Sequence, residues 1–102
     1  MLSQEKRSII FDETCSGWSK EDGYNLACLR YQERYLQDRL MAQGWLTIAD
    51  VRTALGAPMV KDIEFYQYGW DYTAGVRLEF EIFPQLTGSS YLIHFLGVTK
   101  IM

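Results

Sequence analysis

The chain has 102 residues, of which 48% are hydrophobic and 15% aromatic. That is the size of one domain, residues 1–102, with enough apolar side chain for a core, and it excludes a disordered segment. Ten Lys and Arg stand against 13 Asp and Glu, a net charge of −3, which counts against a nucleic-acid binder, because phosphate neutralisation needs a basic face.

Cys15 and Cys28 are the two cysteines and have no C-x-x-C spacing; they read as free thiols of a reducing compartment. No apolar run approaches a membrane span, and "MLSQEKR" is a polar start, not a signal peptide. The expectation is a soluble protein of the cytoplasm.

In chain order, "RSIIFDE" (Arg7 to Glu13) reads as a short strand carrying Ile9 and Phe11. "TCSGWSKEDG" is turn-like. Inside it, Ser19-x-x-Asp22 fits a loose capping box. A helix is expected from about Lys20 or Glu21 to Gln43, stopped by Gly44.

At roughly 100° per residue, that helix carries two apolar stripes. Tyr24, Cys28, Tyr31 and Tyr35 form one; Leu26, Leu29, Leu36 and Leu40 form the other. A surface helix has one apolar face. The leucines are the better core candidates. The tyrosines are either core as well, in a nearly fully buried helix, or a face for a partner, since tyrosine is enriched at interfaces.

Gly44 to Pro58, "GWLTIADVRTALGAP", resembles the first half of a helix-turn-helix. Thr47-x-x-Asp50 is a second capping pair and Gly56-Ala57-Pro58 a stop, so a helix is expected from Ile48 to Leu55. Ile48, Val51 and Leu55 share one face and point inward. A DNA reader needs a second, polar or basic helix within a few residues. The following "MVKDIEFYQYGWDYTAG" instead reads as extended chain entering a turn at Thr73-Ala74-Gly75.

"VRLEFEIF" (Val76 to Phe83) alternates strictly, with Val76, Leu78, Phe80 and Ile82 on one face and Arg77, Glu79 and Glu81 on the other. "YLIHFLGV" (Tyr91 to Val98) is apolar on both faces, the pattern of a central strand. With "IEFYQYGW" these make an antiparallel meander. The predicted fold is α+β: one long and one short helix packed on a small antiparallel sheet.

Chemistry is sparse. His94, the one histidine, shares an apolar strand face with Leu92 and Leu96 and reads as structural. Glu79 and Glu81 share a face with Arg77 and read as a solvated ion-pair surface rather than a metal or acid–base pair. Cys15 lacks a neighbouring base. No phosphate loop or hydrolase motif is present. The expectation is a non-enzyme without metal or cofactor.

What remains is surface. "EFYQYGWDY" (Glu64 to Tyr72) interleaves aromatics with acids. On a strand, Glu64, Tyr66, Tyr68 and Trp70 share a face; with Asp62, Asp71, Glu79 and Glu81 they compose an acid-rimmed aromatic patch of the kind found at protein-binding hot spots. The other reading is that these rings pack beneath the helix. Tyr24, Tyr31 and Tyr35 are the second candidate face.

Tyr24-Asn25, Arg30-Tyr31, Gly44-Trp45-Leu46, Asp50-Val51, Leu55-Gly56, Pro58 and Gly69-Trp70 together resemble a pattern in small proteins carried by phages and other mobile elements of Gram-positive bacteria. The likeness covers about a third of the chain well. It implies a mobile-element product of α+β fold, and with it an inhibitor of host defence of the anti-CRISPR type. The implied partner is a host defence protein such as a Cas nuclease or its ribonucleoprotein, approached through a complementary acidic surface. The competing expectations are a self-associating virion or assembly component, for example a homodimer, and a small winged DNA-binding regulator.

Overall fold

Two three-stranded antiparallel sheets carry the fold, where one was expected. A computed structural model describes residues 2–21, 23–86 and 90–102. Along the chain come β1 (Ser8–Phe11), α1 (Tyr24–Gln43), β2 (Trp45–Thr47), α2 (Ile48–Ala54), α3 (Glu64–Gln67), β3 (Tyr68–Asp71), β4 (Glu79–Pro84), β5 (Tyr91–Leu96) and β6 (Thr99–Lys100). Single 3₁₀ turns, Glu5–Arg7 and Tyr72–Ala74, precede β1 and follow β3. The architecture is α+β.

The first sheet runs β1-β5-β4, with the apolar β5 in the centre as its sequence requires. The register sets Ile9 against Ile93 and Phe80 against Phe95. These side chains face inward and are buried. The second sheet runs β2-β3-β6. The expected meander is therefore corrected: β3 does not pair with β4 but with β2 and β6. Strands of three and two residues are too short to show an alternation, so neither was legible.

Trp70 joins the sheets. It is fully buried, its indole N–H donates to the Leu96 carbonyl at 2.7 Å, and its ring meets Phe95 edge-on at 5.7 Å.

Helix α1 lies against β2 and β4. Leu29, Leu36 and Leu40 are buried, whereas Leu26, at the start of that stripe, is exposed. Gly44 ends the helix as expected, with φ +92° and its N–H on the Leu40 carbonyl at 2.8 Å; a left-handed residue closes the last turn, and glycine does so without strain. The start differs. The helix begins at Tyr24 behind Gly23 with no side-chain cap, and Asp22 lies outside the described residues. Asn25 does the tying: its amide exchanges two hydrogen bonds with the Ser19 backbone, at 2.8 and 2.7 Å.

The short helix α2 matches expectation. The Thr47 hydroxyl accepts from the Asp50 N–H and the Asp50 carboxylate from the Thr47 N–H, a complete capping box. Ile48, Val51 and Leu55 are buried.

Candidate protein-binding surface

The expected strand through Glu64 and Tyr66 is instead a single helical turn, α3. The cause is local. The Asp62 carboxylate accepts from the Glu64 N–H, and the Phe65 N–H bonds the Asp62 carbonyl. A short acidic side chain that caps its own backbone overrides the β preference of aromatics. Alternation is lost, and the four residues expected on one face separate.

Trp70 is the clearest correction: it is core, sealed between the two sheets, and cannot contact a partner. Tyr68 is half-buried on β3 against the core. Asp71 is half-buried and accepts from the Thr73 N–H and hydroxyl, closing the turn that follows. Asp62 and Glu64 both hold the Lys6 ammonium, Asp62 at 2.9 Å. The hydrogen bond from Lys6, then that from the Glu64 N–H, keeps the Asp62 carboxyl below its ordinary value. These acids position a segment through Lys6 while staying partly exposed. Of the central set only Tyr66 is well exposed.

Glu79 and Glu81 stand elsewhere, on the outward face of β4. Arg77 reaches Glu79 at 3.6 Å, so the expected ion-pair surface is present there. Ser8, His94 and Glu81 are neighbours across the first sheet by register. The Ser8 hydroxyl nevertheless donates to the Gln4 and Glu5 carbonyls, and the His94 ring faces the Gln4 amide at 3.2 Å. Among the described residues no group of three His, Cys, Asp or Glu is placed to hold a metal ion. No helix of those residues is long and apolar enough to cross a membrane. Both cysteines are free; burial pushes the Cys28 thiol up.

The tyrosine stripe of α1 faces solvent. Tyr24, Tyr31 and Tyr35 are 48%, 67% and 49% exposed, which overturns the reading of a nearly fully buried helix. On the adjoining side of α1 a cleft of about 620 Å³ opens towards β4. Two of its polar groups brace backbone: the Glu33 carboxylate accepts from the Phe80 N–H and the Gln37 amide oxygen from the Leu78 N–H, both at 2.7 Å.

A surface that pattern reading missed lies between α2 and α3. Met59, Val60, Ile63 and Tyr66 are all exposed, Met59 at 87% and Ile63 at 71%. Large apolar side chains scattered singly need no explanation, but four within eight residues form a patch, and patches mark contact sites. The segment is pinned from below. Phe65 is buried under it, the Arg52 guanidinium stacks 4.8 Å over the Phe65 ring, and Lys6 clamps Asp62 and Glu64. A groove of about 270 Å³ runs beside it, walled by Ala49, Arg52, Gly56 and Ala57 and rimmed by Met59, Val60 and Tyr66. The available signal was an apolar run, Met59-Val60 and Ile63, straight after a helix stop, with no alternation to bury it.

Comparison with protein-family models, with curated proteins and with solved structures returns no match.

Proposed function

We propose that this protein is a non-enzymatic binding module that acts by occupying a surface of another protein. The observation that carries the reading is the Met59–Tyr66 segment: apolar, exposed and tied to the fold by the Arg52 stack on Phe65 and the Lys6 ion pairs. Preordered apolar anchors lose little entropy on binding, which is how a small surface gains affinity. Four-residue α3 is too short to serve as a recognition helix after α2, which counts against a helix-turn-helix reader and leaves the duplex-reading alternative only its strands as a wing.

The finer form of the proposal rests on the resemblance of the 24–58 segment to mobile-element proteins. In it, the partner is a host defence nuclease of the Cas type or its ribonucleoprotein, met in the bacterial cytoplasm. Tagged protein is incubated with lysate carrying CRISPR and restriction systems, with and without nuclease treatment, and the captured proteins are identified by mass spectrometry. The expected result is stoichiometric, nuclease-resistant capture of a defence protein, weakened at least tenfold by Ile63→Asp and by Tyr66→Ala. Capture of nucleic acid alone, or of nothing, overturns the finer reading.

A second reading has its own observation, the exposed tyrosine stripe of α1. If the protein is an assembly component, that stripe is a self-association face. Sedimentation equilibrium then shows a dimer or larger species that Tyr31→Asp returns to monomer.

A further inference from the structure

The groove beside the apolar segment contains one charge whose environment is unusual. Arg52 is half-buried on α2, with its guanidinium stacked over Phe65 and reaching the Pro58 carbonyl at 3.5 Å, a long contact. No carboxylate pairs with it among the described residues, although five other ion pairs form there. Burial pushes its pKa below the ordinary value. A partly desolvated guanidinium without an anion is costly, and a carboxylate brought to it makes a charge-assisted, frequently bidentate hydrogen bond.

The rest of the groove fixes what else the ligand carries. The walls at Ala49, Gly56 and Ala57 are small, so the floor is open, and Met59, Val60 and Tyr66 supply an apolar rim. At about 270 Å³ the space falls below the roughly 300–1,000 Å³ of sites for drug-sized molecules. It suits one or two side chains of a peptide. Of the acids near the groove, Asp50, two residues before Arg52, is paired with Arg39 at 3.9 Å, and Asp62 and Glu64 share the Lys6 ammonium, which offsets one of their two charges.

We propose that this groove binds a short acidic–apolar segment of a partner protein, with a carboxylate on Arg52 and a neighbouring bulky apolar side chain between Met59, Val60 and Tyr66. The proposal rests on the binding-module reading and specifies the chemistry that its main surface recognises.

The test is selection of a displayed random dodecapeptide library on the immobilised full chain. The enriched peptides are then synthesised, and their affinities measured by fluorescence anisotropy. The expected consensus has Asp or Glu within two residues of Phe, Leu or Met. Replacing the acid by its amide weakens binding at least tenfold, as does Arg52→Gln. Met59→Asp, at a side chain too exposed to affect folding, weakens it similarly, and Tyr31→Ala on the far stripe leaves it unchanged. Absence of enrichment, a basic consensus, or binding indifferent to Met59→Asp overturns the proposal. So does a dimer that Met59→Asp dissolves, since the groove then holds a second copy of the chain. Successful selection without capture of a defence protein from lysate refutes the finer functional reading alone; capture sensitive to Tyr31→Asp but not to Met59→Asp refutes the groove and the 59–66 surface and leaves the defence partner standing.

Discussion

Gly69 and Trp70, adjacent on β3, show how single residues decide this fold. A Cβ on Gly69 would collide with the Leu46 carbonyl oxygen and would stand 2.7 Å from the Thr47 Cα. The neighbour is backbone in the paired strand β2 and cannot step aside. Gly69→Ala should therefore cost about 3 kcal/mol, at the upper end of overpacking effects, and urea titration followed by tryptophan fluorescence measures it. Trp70 carries the opposite liability. Trp70→Phe leaves a void between the sheets and strips the Leu96 carbonyl of the indole donor. The expected loss is about 2–4 kcal/mol, read as a lower denaturation midpoint with an unchanged slope.

At the scale of elements, α2 is self-sufficient and β4 is not. The α2 capping box is local, and Thr47→Ala should remove about 1 kcal/mol by the same titration. Strand β4 is an edge; the outward N–H of Phe80, and that of Leu78 just before the strand, are closed by Glu33 and Gln37 of α1. Pro84 at its end offers no donor. Edges left open template pairing with other chains. The double variant Glu33→Ala with Gln37→Ala should be less stable and should also self-associate, a concentration-dependent increase in sedimentation coefficient that Thr47→Ala does not produce. Helix α1 thus has three roles on three faces: leucines in the core, polar side chains on β4, and tyrosines in solvent.

Over the whole molecule, the ion cluster of Lys6 with Asp62 and Glu64 ties the first turn of the chain to the proposed binding segment. Its pH dependence follows from the two shifts. Asp62 is held below its ordinary 3.8, chiefly by Lys6. A depressed carboxyl contributes stability that is complete above 3.8 and is lost as pH falls through the lower folded value. Lys6 is held above its ordinary 10.5 by Glu64 first and Asp62 second. A raised ammonium contributes stability that is complete below 10.5 and is lost as pH rises through the higher folded value. The cluster is therefore silent through the neutral range. Lys6→Met should flatten both limbs of the stability–pH curve, modestly, because exposed pairs contribute little. It should also loosen the 59–66 segment, seen as faster amide exchange at Phe65 and Tyr66.

Sequence alone determined the parts whose physics is local. The helix stop at Gly44, the capping box of α2, its inward face, and the central position of β5 each depend on residues within a few positions of one another, and each is present. Pattern also exposed the double striping of α1. Tertiary structure decided which stripe the core uses, because burial depends on what lies opposite a helix, and nothing local records that. It decided that Trp70 is core and Tyr66 surface, because the Asp62 cap broke the alternation that would have placed them together. It also paired Asp62 and Glu64 of the expected acidic rim with Lys6, which comes from 58 positions away from Glu64. The groove at Arg52 is the furthest of these from the sequence, for it exists only where α2, the 56–60 segment and α3 meet.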